Sequence, residues 1–271
     1  MDRQNLILGA ISGDVIGSSY EWKNVKTTDF DIFGRIFNFT DDSVLTFATM
    51  DVLLHNKDYT ETYQQYARKY PGRGYGGNFN RWIQNDNPKP YNSWGNGSAM
   101  RVSPVGWACN TVEEVMAEAK RSAEVTHNHP EGIKGAQAAA VAVFMARTGG
   151  SKEDIKEFIA KTFKYKLNRK IDDIRLRFRF DESCQGTVPE SIIAFLESTD
   201  YESSIRLAIS LGGDSDTIAC ITGGIAEAFY KEIPLNIYEK VIEVLPLDIL
   251  DLIKEFSEKY REGGKIVNFY C

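Results

Sequence analysis

Two short segments combine carboxylates and hydroxyls in a way that suits a hard metal cation. Residues 214–217 read Asp-Ser-Asp-Thr behind a Gly-Gly pair, and residues 40–43 read Thr-Asp-Asp-Ser. Mg²⁺, Mn²⁺ and Ca²⁺ take oxygen ligands of this kind. Two carboxylates cannot complete a coordination shell, so each segment needs partners from elsewhere in the chain. The two segments together offer four carboxylates, with hydroxyl groups beside them.

Each segment taken alone has a simpler explanation as the N-terminus of a helix. Asp and Thr are common at helix starts, where the helix dipole favours acids, and an apolar run follows each segment. However, two buried acidic helix starts that face one another would repel unless a cation lay between them. Asp41 and Asp42 would leave a helix in directions about 100° apart, which suits two ions, or an ion and a substrate. An EF-hand is excluded because Ile225 stands where a bidentate Glu is needed.

Apolar periodicity predicts helices that would carry and position both segments. Small residues at Gly9, Gly13 and Gly17 make the first of them smooth enough for close packing. The long stretches 18–39 and 72–97 are read mainly as loops, 163–183 has no clear pattern, and no βαβ alternation or linker is present. We therefore predict one all-α domain over residues 1–271, a compact helical bundle. The predicted helices cover 6–17, 41–54 behind the N-cap Thr40, 60–70, 78–83, a helix capped by Thr111 that runs to 125, 131–147, a segment capped by Ser151, 187–197, 201–211, 217–230 and 247–260.

Composition favours a cytoplasmic protein and argues against general nucleic-acid binding. Of the 271 residues 42% are hydrophobic and 26% are charged, and the net charge of −6 offers no general basic surface. A bound cation could still attract an anionic substrate. The first five residues do not resemble a signal peptide, and the longest uncharged apolar stretch, 135–146, is too short to cross a membrane. The four scattered cysteines, ending at Cys271, suit reduced thiols.

Six motifs together resemble the ADP-ribosylglycohydrolase family, also called ADP-ribosylhydrolases or dinitrogenase-reductase-activating glycohydrolase-like enzymes. The resemblance implies a compact, single-domain orthogonal multi-helix bundle and a binuclear Mg²⁺ or Mn²⁺ centre. It assigns the metal ligands to Thr40, Asp41, Asp42, Asp214, Asp216 and Thr217. One departure is Ser43, where many members have Thr, although the hydroxyl is kept. The motifs, in the family's order, are Gly13-Asp14-x-x-Gly17, Tyr20-Glu21, Thr40-Asp41-Asp42-Ser43, Asn96-Gly97-Ser98-Ala99-Met100-Arg101, Thr126-His127 and Gly213-Asp214-Ser215-Asp216-Thr217.

The same resemblance suggests roles for individual residues. Asp41 or Asp216 would steer or deprotonate a water held by the two metals, which lie about 3.5–4 Å apart in such centres. Glu21 would stand at the mouth of the active site. The family's phosphate-binding loop falls on residues 96–101, and its histidine near the distal ribose or diphosphate falls on His127. The candidates for substrate contact are Gly97, Ser98, Met100 and His127, with Tyr75 in a glycine-rich loop that could stack on adenine or could merely be mobile.

The predicted function is a metal-dependent hydrolase that cleaves the glycosidic bond between ADP-ribose and an acceptor. Protein ADP-ribosyl-arginine is the first candidate substrate, followed by ADP-ribosyl-serine or a small ADP-ribose conjugate, and the enzyme is expected to act as a monomer. Two alternatives stay open. The first is a non-catalytic ADP-ribose or nucleotide-binding protein on the same fold. The second is a structural helical protein, which leaves the two acidic clusters and the glycine loop unexplained.

Overall fold

The computed structural model describes residues 7–261, and within this range every regular element is a helix. The expectations for the first five residues and for Cys271 lie outside the described residues. A single isolated β-bridge pairs Gly95 with Ser183. The helices are α1 (Leu8–Gly17), α2 (Asp41–His55), α3 (Tyr59–Lys69), α4 (Gly77–Ile83), α5 (Gly97–Met100), α6 (Ser103–Ala108), α7 (Val112–Glu124), α8 (Pro130–Arg147), α9 (Lys152–Phe163), α10 (Ile171–Arg177), α11 (Cys184–Glu197), α12 (Tyr201–Ser210), α13 (Ser215–Tyr230), α14 (Leu235–Val244) and α15 (Leu247–Tyr260).

The expected all-α bundle is confirmed, and so are the caps on which several boundaries depended. The side chains of Thr40, Thr111 and Ser151 each accept a hydrogen bond from a backbone N–H in the first turn of α2, α7 and α9. His129 does the same for α8, as expected for a structural residue. These caps satisfy donors that the helix itself leaves unpaired.

Four short helices were not predicted, and three of them have a local reason for escaping notice. Helix α10 lies in the stretch without a clear pattern and buries only Ile171 and Ile174 among charged neighbours. Helix α14 buries only Ile237 and Val241. Helices α5 and α6 have only four and six residues, which is too few for apolar periodicity to register.

The small-residue stripe of α1 makes the close contact that the sequence predicted, and the structure shows that its partner is α13. A Cβ added to Gly13 would lie 2.0 Å from the carbonyl oxygen of Ala219, and one added to Gly17 would lie 2.5 Å from Cα of Asp216. The two backbones are therefore nearly in contact. This approach brings Asp14, in the middle of α1, next to the first turn of α13.

Substituting Gly13 by Ala should destabilise the protein by about 3 kcal/mol, because the new methyl group can only be accommodated by separating two buried backbones. Chemical denaturation of the variant would measure the change in the free energy of unfolding. Gly76→Ala is the matched control, since a Cβ at Gly76 meets nothing within 4 Å. Equal stability of the two variants would contradict the close packing.

Helix α8 lies at the centre of the bundle and is buried from Ala138 to Ala146. It contacts α5, α6, α7, α9, α11 and α13. Through its contact with α5 it supports the segment 95–101. Within the described residues, no helix combines the length and the apolar character needed to cross a membrane. Cys109, Cys184 and Cys220 are free thiols.

Candidate active site

Five carboxylates from four separate segments converge at the N-termini of α2 and α13. Oxygens of Asp14, Asp42 and Asp216 lie within 4.8 Å of one another, and so do oxygens of Glu21, Asp214 and Asp216. Asp216 belongs to both groups. The first group is fully buried, and the second opens towards the surface through the half-buried Glu21. The two segments singled out in the sequence thus meet, and α1 and the loop after it add a carboxylate each.

Asp14 organises the start of α2. Its carboxylate accepts hydrogen bonds from the backbone N–H of Thr40 at 2.9 Å and of Ser43 at 3.1 Å. It also accepts from the Thr40 hydroxyl at 2.6 Å and from the Ser43 hydroxyl. The hydroxyl retained at Ser43 is therefore used. Asp14 belongs to a motif of the family resemblance but had no predicted role, and its signal in the sequence was a lone acid in an otherwise apolar helix.

The remaining carboxylates are held in place by neutral donors, not by basic side chains. Asp42 Oδ2 lies 3.3 Å from the hydroxyls of Thr40 and Thr217, whereas the buried Asp42 Oδ1 has no hydrogen-bond partner among residues 7–261. Asn96 donates its amide to Asp214 Oδ2 at 2.6 Å. An unpartnered buried oxygen beside several hard oxygen donors is what a divalent cation requires. The residues present therefore fit a metal site.

The electrostatics of the cluster agree with a site that needs a cation. Burial, followed by the charges of neighbouring carboxylates, raises the pKa values of Asp42 and Asp216 well above their usual range. Burial also raises the pKa of Asp14, although four hydrogen bonds oppose the shift. Burial, with the charges of Asp214 and Asp14, raises the pKa of Glu21 to about 7. Bringing these groups together as carboxylates costs free energy that a bound cation would offset.

Asp41 lies beside the cluster but in neither group of three. It lines the cavity, and its Oδ1 faces Gly74, where an added Cβ would be 3.1 Å away. Burial and the charges of Asp14 and Asp214 raise its pKa well above the usual range. The adjacent side chains of Asp41 and Asp42 therefore point to different parts of the site: Asp42 belongs to the buried carboxylate group, and Asp41 faces Gly74. This agrees with the angle of about 100° expected between neighbouring side chains on a helix.

A cavity of about 280 Å³ lies over the carboxylates and includes most of the predicted contact residues. Gly97, Met100 and His127 line it, together with all six candidate ligands and Glu21. Ser98 does not line it, because its hydroxyl turns inward to the carbonyl of Gly132 at 2.7 Å. Tyr75 does not line it either. Its ring is buried against Phe79, and its hydroxyl donates to the carbonyl of Tyr70.

His127 presents a defined ring nitrogen to this cavity. Its Nδ1 lies 2.7 Å from the Thr126 hydroxyl, and that oxygen also accepts from Arg101 Nη2 at 2.9 Å. The hydroxyl proton is therefore available to Nδ1, which favours the tautomer with the proton on Nε2. His127 Nε2 lies next to Gly97, where an added Cβ would be 3.2 Å away. Burial and the Arg101 charge hold the His127 pKa well below its usual range, so the ring is neutral at pH 7.

Arg101 is a second cavity-lining residue without an assigned role in the sequence. It is completely buried, stacks over the Tyr63 ring at 4.3 Å and donates to the Ser122 carbonyl. Its Nε and Nη1 have no hydrogen-bond partner. The last position of the 96–101 motif was its only signal in the sequence.

Comparisons with known proteins agree with the resemblance. A model of the ADP-ribosylglycohydrolase family matches residues 4–265. The chain is 27% identical to ADP-ribosylhydrolase ARH3 of Xenopus tropicalis, over 85% of this chain and 88% of the relative, and 27% identical to human ARH3, over 83% and 84%. A solved structure described as an ADP-ribosylglycohydrolase-related protein complex shares the fold, with a TM-score of 0.70 at 23% identity, and covers 96% of this chain and 97% of its own. The chain belongs to the ADP-ribosylglycohydrolase family.

Proposed function

We propose that the protein is a metal-dependent hydrolase that cleaves the glycosidic bond between ADP-ribose and an acceptor. The observation that carries the proposal is the pair of carboxylate groups sharing Asp216 at the base of a cavity. A purely structural bundle has no use for five converging acids, four of which have raised pKa values. We propose ADP-ribosyl-arginine on proteins as the first candidate substrate, then ADP-ribosyl-serine or a small ADP-ribose conjugate.

The proposed cofactor is a pair of divalent cations, Mg²⁺ or Mn²⁺. When bound, such a pair supplies Lewis acidity for ribose hydroxyls and a water that is acidic enough to lose a proton near neutral pH. Asp14 would not need to bind a cation itself. Through its hydrogen bonds it would orient the first turn of α2, as groups behind metal ligands commonly do. The proposed ligands are Thr40, Asp41, Asp42, Asp214, Asp216 and Thr217.

The other catalytic roles, namely proton transfer, hydrogen bonding to the substrate and charge stabilisation, would belong to residues of the protein. Asp41 is favoured over Asp216 as the base that takes a proton from water, because Asp216 is shared by both carboxylate groups and Asp41 by neither. Neutral His127 can donate a hydrogen bond from Nε2 to a phosphate or ribose oxygen near Gly97. The surrounding carboxylates would stabilise positive charge that develops on the ribose as the acceptor departs. Glu21 stands at the opening, between the cluster and the acceptor.

The decisive experiment is release of ADP-ribose from defined conjugates. ADP-ribosylated arginine and serine peptides should be hydrolysed with Mg²⁺ or Mn²⁺ present, and EDTA should stop the reaction. Tight binding of ADP-ribose without turnover of any conjugate would favour the alternative of a non-catalytic ADP-ribose-binding protein on this fold. The presence of a carboxylate or hydroxyl at every proposed ligand position counts against that alternative.

We also propose that the protein acts as a monomer in the cytoplasm. The proposal rests on the three free thiols in the described residues and on a cavity formed within one chain. Light scattering on the purified protein, with and without divalent cations, would measure the mass directly.

A further inference from the structure

Two exposed aromatic residues are stacked on each other at the rim of the cavity. The rings of Trp22 and Phe180 lie 6.0 Å apart between centroids at an angle of 22°. Trp22 is 80% exposed and Phe180 is 45% exposed, so neither ring contributes a full apolar area to the core. Phe180 lines the cavity, and Trp22 directly follows Glu21, which lines it as well. A stacked pair that the core does not require stands where an acceptor would leave the site.

The charge around this pair is dominated by acids. The two basic residues of the lining are engaged within the protein: Arg73 stacks over the Phe39 ring at 3.7 Å, and Arg101 is buried over Tyr63. The acidic side chains that line the cavity are Glu21, Asp41, Asp42, Glu182, Asp214 and Asp216.

Two further cations near the rim are held by main-chain carbonyl groups. Lys26 Nζ donates to the carbonyl of Phe178 at 3.1 Å and to that of Leu211. Arg179 Nη1 donates to the Phe178 carbonyl at 2.9 Å. Lys26 and Arg179 keep their positive charge but direct it at carbonyl oxygens, whereas Glu21 and Glu182, one in each of the segments that carry the aromatic pair, line the cavity. A cationic acceptor group would be complementary to these two carboxylates.

The flat shape of the aromatic pair narrows the choice of cation. A guanidinium is planar, stacks on aromatic faces, and can also donate two parallel hydrogen bonds to one carboxylate. An ammonium can lie over a ring but can neither stack flat on it nor present a planar pair of donors to one carboxylate, and a neutral serine hydroxyl carries no charge. An aromatic face flanked by carboxylates is thus matched to guanidinium chemistry.

We propose that Trp22 and Phe180 form a platform that binds the acceptor and selects a guanidinium, with Glu21 and Glu182 as its carboxylate partners. The proposal rests on the proposed function, because it assigns the acceptor side of the same site. Trp22 and Phe180 would act on the departing group and would not contact ADP-ribose itself.

The test compares Trp22→Ala and Phe180→Ala with the wild type on matched ADP-ribosyl-arginine and ADP-ribosyl-serine peptides. Each Ala variant should lose about tenfold in kcat/KM on the arginine peptide and less than about twofold on the serine peptide. Trp22→Phe should keep most of the activity, because a ring remains. For Trp22→Ala, the calorimetric affinity for free ADP-ribose and the thermal midpoint should be unchanged, since Trp22 is 80% exposed and does not line the cavity.

A second measurement separates failure of the platform from failure of the proposed function. In an NMR titration of the protein saturated with ADP-ribose, ethylguanidinium should shift the Trp22 indole signal, and ethylammonium should shift it less. If no conjugate is hydrolysed, the proposed function fails, and this titration still decides the platform. Equal losses on the arginine and serine peptides would overturn the proposal. The proposal would also be overturned if the Ala variants lost as much kcat/KM on an ADP-ribosylated oligonucleotide as on the arginine peptide, because the aromatic pair would then stack on nucleic-acid bases.

Discussion

Asp216→Asn should abolish hydrolysis while leaving the fold intact. Asp216 is the one carboxylate common to both groups of three, so its loss removes a candidate ligand from each. Residues that merely support metal ligands cost 10–100-fold when they are changed, and we expect a shared ligand to cost about 1,000-fold or more. The measurement is kcat/KM for ADP-ribose release at saturating Mg²⁺. Full activity in this variant would refute the metal assignment.

The same variant should be more stable than the wild type when no cation is bound. Burial and the charges of Asp214 and Asp42 raise the Asp216 pKa well above its usual range, so the folded state disfavours the carboxylate at pH 7. Removing that charge should increase the free energy of unfolding by about 1 kcal/mol or more and the thermal midpoint by about 2–4 °C. Asp251→Asn, at an exposed position beyond the first turn of α15, is the matched control and should change neither activity nor stability.

Addition of Mg²⁺ should stabilise the protein, and the gain should grow as the pH rises. The folded-state pKa values of Asp14, Asp41, Asp42 and Asp216 are all raised, with burial as the first cause. Their contribution to stability without metal is therefore fully present below the unfolded pKa near 3.8 and is lost as the pH rises through the folded values. A cation that neutralises the cluster therefore restores the most stability at high pH, where the carboxylates are charged.

The measurement is the difference in thermal midpoint with and without Mg²⁺ at each pH from 5 to 8. A cation at one hundred times its dissociation constant adds about 2.7 kcal/mol, which corresponds to about 5–10 °C. Comparing the metal-free and the metal-bound protein at one pH cancels the contributions that titratable groups elsewhere make to stability. One such group is Glu227, whose pKa is raised to about 8 by burial. It also reduces the contribution of His127, which destabilises the fold as the pH falls below 6.5 because its pKa is lowered. A gain that is equal at every pH would contradict a cation bound by these carboxylates.

Much of the fold was predictable because its signals are local. Hydroxyl and acid caps at Thr40, Thr111 and Ser151 satisfy backbone donors within one turn, so the sequence placed these helix starts within about one residue. The stripe of Gly9, Gly13 and Gly17 predicted that α1 packs closely on another element, but it did not predict which one. Helix α10 was missed because its two buried residues cannot establish a period, whereas α14 was overlooked although its apolar residues at 237, 241 and 244 repeat with helical spacing.

The contact residues were less predictable, because side-chain direction depends on what packs behind each backbone. Ser98 lies in the predicted phosphate loop, yet its hydroxyl bonds inward to Gly132. Tyr75 lies in the glycine-rich loop that could stack on adenine, yet its ring packs against Phe79 instead. His127 faces the cavity as expected, because Thr126 and Arg101 fix its ring from behind.

Residue types and short-range spacing were enough to predict the all-α class, the two acidic helix starts and the family that the motifs resemble. They could not predict that Asp42 and Thr217, which are 175 positions apart, lie 3.3 Å from each other. Nor could they predict that Asp14 binds the first turn of α2 or that Trp22 stacks on Phe180. The physical reason is that such distances follow from how helices pack, above all from the near contact of α1 with α13. No local pattern in the chain encodes that approach by itself.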